Sequence, residues 1–334
     1  MTGSPVRILL SETAEGSYGE GLRSAHRDIE LVTMKGDGTV GLGDGPPLAW
    51  EDAAIEVAWG TSDLFDAGPL RPFFGLLRRS ATLRWFQSGA AGFDAPIYGE
   101  LVKKGVSLTT SDANSISIAE YVLRCVLEHF QESVLWSDAQ AERLWARHDF
   151  REVAGTTWVV VGLGSIGTLV ALRARAFGAH VIGVRRRPSG DEPVAEVVTP
   201  EALPSVLPRA DVVVLSAPAS TSTRHLVDRA FLAALPDTAF LVNVGRGSLV
   251  DEDALAEALE AGSISGAALD VFETEPLPTD HPWWDDPRVV VTPHNSAGGR
   301  GRYARGVQLF SENLSRYQRG EPLLLLVTED ELDA

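Results

Sequence analysis

Short apolar runs recur along the chain, and their rhythm changes near residue 115. In the first hundred residues VRILLS, IELVTM, IEVAWG and LRWFQS alternate with polar segments, which predicts strands joined by helices and loops. Between 115 and 147, SISIAEYVLRCVLEHF and SVLWSDAQAERLWARH place apolar residues at helical spacing. A more regular series follows: TTWVVVG, HVIGV, DVVVLSAP, AFLVNVG, GAALDVF and RVVVTPH, with helical patterns between most of them. Unbroken Val, Ile and Leu runs suit strands buried on both faces, so this region predicts a parallel sheet with helices on either side. A last helix is expected over about 299–319, before the apolar tail PLLLLV. No solenoid-period repeat is visible.

Composition narrows the choice. The chain has 334 residues, 44% of them hydrophobic, enough for one or two buried cores. A formal charge of −17 argues against nucleic acid or an anionic membrane as the main partner, although a local basic patch can still hold one small anion. The single cysteine, Cys125, lies in the apolar helical stretch AEYVLRCVLEHF and reads as a small core residue. The N-terminus MTGSPVRILLS is too short and polar for a signal peptide. The longest apolar region, around 158–172, contains glycines and stops at Arg173, so no membrane span is expected and a cytoplasmic protein is. No metal-ligand spacing stands out, and none is expected to be bound.

The first chemical signal is GLGSIG at 162–167, between the strand TWVVV and the helix SIGTLVALRARAFG. Gly162 permits a tight turn, Gly164 lets a pyrophosphate approach the backbone, and Gly167 lets helix and strand pack closely. The amides of Ser165 and Ile166 at the helix start favour an anion. In such units a carboxylate ending the second strand accepts hydrogen bonds from the adenosine ribose of NAD. Here that strand end reads GVRRRPSG, and Arg185 occupies the position. An arginine cannot accept those bonds but can pair with the 2′-phosphate of NADP, with Arg186 or Arg187 alongside. NADP (as NADPH) is therefore the expected cofactor, with NAD as the second choice. An empty glycine turn and a merely solvated basic loop are the plain alternatives.

Arg246, Glu275 and His294 each follow a strand of the second series. The carboxyl ends of parallel strands share one edge, where ligands bind, so residues far apart in sequence can meet there. Reducing a ketone by hydride transfer builds charge on the carbonyl oxygen. An imidazolium can protonate it, a glutamate favours that imidazolium, and an arginine forks onto an adjacent carboxylate. Each also has an ordinary reading: a structural histidine, a surface ion pair, or a loop carboxylate for which Glu273 competes. His225 and His281 lack a comparable strand-end setting. Asp270, inside the apolar ALDVF, needs a partner if buried and is expected to orient the nicotinamide or Arg246.

Together GLGSIG, NVGRGSLVDEDALAEAL, GAALDVFETEPLP and TPHNSA, in this order, resemble the D-isomer-specific 2-hydroxyacid dehydrogenase family, over roughly 155–300. The resemblance implies that Arg246 binds substrate, Glu275 supports the histidine and His294 is the acid/base. It implies a Rossmann-type doubly wound domain inserted in a smaller flavodoxin-like substrate domain, with the substrate domain at 1–108 and 299–334 and the dinucleotide domain at 109–298. Ala217, Pro218, Thr223, Val244, Arg246, Asp270 and His294 are expected along the dinucleotide. SGAAGFD is similar to the family loop whose amides hold the substrate carboxylate, which assigns Ala91 and Gly92 that task. Trp59 in EVAWG is expected as an apolar wall of the substrate site, or as core. The helices at 115–147 resemble the family's dimerisation region, with Trp136 and Trp145 as interface candidates, so a homodimer is expected. Arg185 departs from the NAD-using majority and resembles the NADPH-dependent glyoxylate and hydroxypyruvate reductases. Asp251 is the expected N-cap of the following helix. The expected activity is NADPH-dependent reduction of a small 2-oxo acid to the D-2-hydroxy acid. A phosphite dehydrogenase and an NADP-sensing corepressor-like scaffold remain alternatives, since the family contains both.

Overall fold

The computed structural model describes residues 4–43, 45–66, 68–328 and 332. It divides into two compact units: Met1–Asn114 with Arg300–Ala334, and Ser115–Gly299.

The first unit is built on a six-stranded sheet of β1 (Val6–Ser11), β2 (Ile29–Met34), β3 (Val40–Leu42), β4 (Val57–Trp59), β5 (Trp85–Gln87) and β6 (Ser107–Thr109). Its order is β3-β2-β1-β4-β5-β6, parallel except for the short edge strand β3. Without β3 this is the 2-1-3-4-5 order of flavodoxin-like sheets. The C-terminal helix Arg302–Arg319 returns to this unit: Phe310 stacks on Trp59 at 4.4 Å and on Trp85 at 5.3 Å. Buried Asn313 then fixes the tail, taking the Leu324 amide at 2.7 Å and donating to Gln87 Oε1 at 3.0 Å. The tail pairs with the end of β6, where Val327 N donates to the Leu108 carbonyl. Since β6 belongs to this sheet, the unit ends at Asn114 rather than at the expected 108.

The second unit holds seven parallel strands: β7 (Thr157–Val161), β8 (His180–Val184), β9 (Glu196–Val198), β10 (Val212–Leu215), β11 (Phe240–Asn243), β12 (Gly266–Leu269) and β13 (Val289–Val291). The order β13-β12-β11-β10-β7-β8-β9 is the doubly wound arrangement, and the chain reverses direction across the sheet beside β7. Every residue of β10, β11 and β12 is buried, as their apolar runs require when helices cover both faces. Two clusters form around this sheet, one under the helix Ser165–Ala176 and the other under Glu252–Glu260. Each fully buried Val, Leu or Phe in them contributes about 1.5–3 kcal/mol of transfer free energy.

The helical pattern over 115–147 resolves into Ser115–Phe130 and Ser133–Ala141, broken where Glu132 adopts φ +48°. The second helix stops at Ala141, short of the expected length, and buries none of its residues. The last helix starts at Arg302, after the glycines of GGRG. Among the described residues no helix is long and apolar enough to cross a membrane, and no group of His, Cys, Asp and Glu could hold a metal ion.

Candidate active site

The carboxyl edge of the second sheet gathers most of the candidate residues. After β7 comes the glycine loop, where Gly162 takes φ +96° and leaves no room for a side chain: a Cβ there would lie 2.7 Å from the Ala217 amide nitrogen. A Cβ on Gly167 would overlap the Gly162 carbonyl oxygen, so helix and loop can meet only at a glycine. Gly164 differs, because nothing lies within 4 Å of a Cβ built there. Gly164 is the N-cap of the helix Ser165–Ala176 and supplies no capping side chain. The helix thus begins at Ser165 and Ile166 with no side-chain cap and with open space beside Gly164, a fit for a diphosphate.

After β8, Arg185 is half-buried while Arg186 and Arg187 are exposed. Arg185 Nη1 donates to Glu192 Oε1 at 3.2 Å. After β10, Ala217 and Pro218 lead into a turn that Thr223 closes: its hydroxyl donates to the Pro218 carbonyl at 2.9 Å and accepts from the Ser220 amide at 2.8 Å. Val244, after β11, is buried and donates its amide to the Leu215 carbonyl.

The three adjacent strands β11, β12 and β13 carry the acid/base candidates. Arg246 stands three residues past β11, in a loop that Asn243 ties by donating to the Arg246 carbonyl at 2.9 Å. Gly247 crosses the chain that follows β12 so closely that a Cβ would overlap the Phe272 carbonyl group. That crossing packs the Arg246 loop against the segment leading to Glu275. Glu275 Oε1 accepts the Phe272 amide at 3.0 Å, and Oε2 lies 2.8 Å from His294 Nδ1. His294 is half-exposed and has φ +50°, a backbone state that an ordinary residue holds only when its surroundings fix it.

Asp270 supplies that fixing. It falls one residue beyond β12 rather than within a strand, and it is 1% exposed. Its Oδ1 accepts from Thr292 Oγ1 at 2.6 Å and the Asn295 amide at 2.8 Å, and its Oδ2 accepts from the Ser296 amide at 3.0 Å. The Asp270 carbonyl takes the His294 amide at 2.8 Å. Both carboxylate oxygens are thus engaged by the segment that bears His294. Because Thr292 gives its proton to Asp270, the Tyr121 hydroxyl 2.8 Å away must donate to Thr292.

A second histidine–carboxylate pair escaped the sequence reading. His225 Nε2 lies 2.7 Å from Glu273 Oε1, and Arg224 Nη2 is 3.2 Å from the same oxygen. The Glu273 amide donates to Glu252 Oε1, and burial pushes the Glu252 carboxyl above its ordinary value. His225 lies ten residues past β10, too far along its loop for strand-end counting to find it. Asp251 caps the helix Glu252–Glu260, accepting the Ala254 amide at 3.0 Å.

The remaining candidates belong to the first unit. Trp59, at the end of β4, is 3% exposed and packs in the core against Phe310 and Tyr18; one edge still lines a cavity of about 290 Å³ with Gly89, Asp63 and Tyr303. Ala91 and Gly92 lie half-buried in the loop after β5.

A model of the D-isomer specific 2-hydroxyacid dehydrogenase NAD binding domain matches residues 123–296. The chain belongs to the D-isomer specific 2-hydroxyacid dehydrogenase family. It is 33% identical over 249 residues to a glyoxylate reductase of Korarchaeum cryptofilum, covering 72% of this chain and 74% of that one. It is 33% identical over 252 residues to a D-3-phosphoglycerate dehydrogenase of Methanocaldococcus jannaschii, covering 74% of this chain but only 48% of the relative. The chain thus matches about half the length of that dehydrogenase. Among solved structures of the family, one from Xanthobacter autotrophicus in complex with NADPH and MES is 32% identical, with a TM-score of 0.78 over 98% of both chains. An NADPH-dependent glyoxylate/hydroxypyruvate reductase from Sinorhizobium meliloti in complex with NADP and sulfate is 25% identical, with a TM-score of 0.73 over 98% of this chain and 99% of that one. In this family the glycine loop lies in the NAD binding domain, and the residues present here fit a dinucleotide.

Proposed function

We propose that this family member reduces a small 2-oxo acid, of glyoxylate or hydroxypyruvate type, to the D-2-hydroxy acid with NADPH. One observation carries the reading: the 2.8 Å bond between His294 and Glu275, on the same sheet edge as Arg246 and the glycine loop. The bound nicotinamide would supply the hydride. With Nδ1 turned to the Glu275 carboxylate, His294 presents Nε2 to the substrate and delivers the proton to the carbonyl oxygen. Glu275 stabilises the imidazolium, and its other oxygen is locked by the Phe272 amide, so its orientation is preset. Arg246 forks onto the substrate carboxylate and polarises the neighbouring carbonyl.

Gly162, Gly164, Ser165 and Ile166 would hold the diphosphate, and Arg185 with Arg186 the 2′-phosphate. Ala217, Pro218, Thr223, Val244 and Asp270 complete the dinucleotide contacts. In the first unit the Ala91 and Gly92 amides would bind the substrate carboxylate, with Trp59 as an apolar wall. Relatives that are glyoxylate reductases, and solved relatives bound to NADPH or NADP, support the choice of substrate and cofactor. A homodimer is part of the proposal. It is supported by the helix Ser133–Ala141, which leaves Val134, Leu135 and Trp136 exposed.

Steady-state kinetics on glyoxylate, hydroxypyruvate and phosphite, with each cofactor, test the reading. The expected result is turnover of the 2-oxo acids, faster with NADPH than NADH. His294→Ala should lose roughly 10²–10⁴-fold in kcat. Arg246→Ala should raise KM by about 10- to 100-fold, the worth of a charge-assisted bond. Tight NADPH binding without turnover on the panel, or full activity in both variants, overturns it.

A further inference from the structure

The loop joining β8 to β9 carries its own anion. Glu192 folds back so that Oε1 accepts the Ser189 amide at 2.6 Å and Arg185 Nη1 at 3.2 Å, and Oε2 accepts the Gly190 amide at 2.9 Å; the Ser189 hydroxyl is shared between Glu192 Oε1, at 2.9 Å, and Asp191 Oδ1. Gly190 turns at φ +89°, which lets two successive amides point at one carboxylate. The Glu192 side chain is 3% exposed, whereas that of Arg185 is 40% exposed. Consecutive amides, a hydroxyl and a guanidinium form the kind of donor set that proteins use for phosphate. Here a glutamate already fills it.

We propose that Glu192 limits the preference for NADPH over NADH by partly neutralising Arg185, as a built-in competitor of the ribose 2′-phosphate. The inference rests on the NADPH reading of Arg185. Hydrogen bonds from Ser189 and Gly190 pull the Glu192 carboxyl down to about 2, so it is charged at any working pH. Tucked beneath the loop, that charge is poorly screened by salt. A doubly charged phosphate arriving at Arg185 is repelled by it; the uncharged ribose hydroxyls of NADH are not. Glu192 therefore acts through Arg185, without touching the reacting atoms, and acts on one cofactor only.

Titration calorimetry with NADPH, NADH and adenosine 2′,5′-bisphosphate tests this on the intact protein. Glu192→Gln, which keeps the shape and removes the charge, should tighten NADPH and the bisphosphate roughly tenfold, the order expected for removing one like charge beside a half-exposed phosphate site. NADH should bind as in the wild type. Glu192→Asp, which keeps the charge, should stay near wild type for all three. Glu192→Ser repeats the neutral arm should the glutamine variant fold poorly. Unchanged or weaker NADPH binding in the neutral variants overturns the inference, and so does a gain shared equally by NADH. Arg185→Ala separates the two levels: if it leaves the NADPH-to-NADH ratio untouched, the NADPH reading itself falls. If Arg185→Ala weakens NADPH and Glu192→Gln gains nothing, only the present inference falls.

Discussion

A methyl group on Gly247 would overlap the Phe272 carbonyl and crowd the Glu273 amide. Gly247→Ala must push apart the loop bearing Arg246 and the segment bearing Glu275. Overpacking of this kind costs about 1–3 kcal/mol. Here it should also cost roughly tenfold or more in kcat/KM, because the groups on the two loops shift relative to one another. Thermal melting and kinetics on the same preparation check this; an alanine variant with full activity would show that the contact is only structural. At this scale the sequence was informative where a residue comes within a few positions of an apolar run. Arg246 and His294 lie three residues past their strands and Glu275 six past its own, close enough to an apolar run to stand out, and parallel strands end together. Glu192 was invisible for the converse reason: its partners are amides of a tight turn, and no spacing rule marks which carboxylate folds back onto its own loop. Asp270 was noticed for its charge among apolar neighbours, but its place past the strand end depends on where pairing stops.

The segment Thr292–Ser296 behaves as a small rigid element although it is neither helix nor strand. Its shape comes from Asp270, which collects a hydroxyl and two successive amides and so holds His294 at a positive φ. Asp270→Asn puts an amide group where acceptors are needed and should strand at least one buried N–H, at about 1–3 kcal/mol. If the carboxylate serves the segment, kcat falls while the NADPH Kd from fluorescence titration stays near wild type. If it serves the nicotinamide, the Kd rises in parallel. Among larger elements, long apolar strands such as TWVVV and HVIGV were legible because both faces are buried. The three-residue strands Val40–Leu42, Ser107–Thr109 and Glu196–Val198 were not, since each is short, lies at a sheet edge and carries little periodicity. The break at Glu132 falls between the two helical stretches visible in the sequence, which stop at Phe130 and resume at Ser133; what helical spacing could not show is that the second helix ends at Ala141.

Across the whole molecule, acid should loosen the second unit through one buried histidine. His129 stacks on Phe240 at 4.0 Å and bonds Ser265 Oγ at 2.8 Å. Burial lowers its pKa from 6.5 to about 4, with Arg151 adding repulsion. Between those values the unfolded chain holds more protons than the folded one, so this contribution to stability is complete above pH 6.5 and is lost as pH falls toward 4. Urea midpoints measured from pH 4 to 7 should show that slope, and His129→Gln should flatten it; an unchanged slope would assign the acid sensitivity elsewhere. The parallel sheet with helices on both faces followed from the alternating pattern, whereas its doubly wound order and the return of the C-terminal helix to the first unit lay beyond periodicity and came from resemblance. That return has a practical side. Ser117 and Gly299 touch near the two ends of the second unit, where a Cβ on Gly299 would lie 2.6 Å from that of Ser117. Stitching those ends together with a few residues would turn the inserted half into a closed ring of sequence, which could be reopened at any exposed loop to give circular permutants.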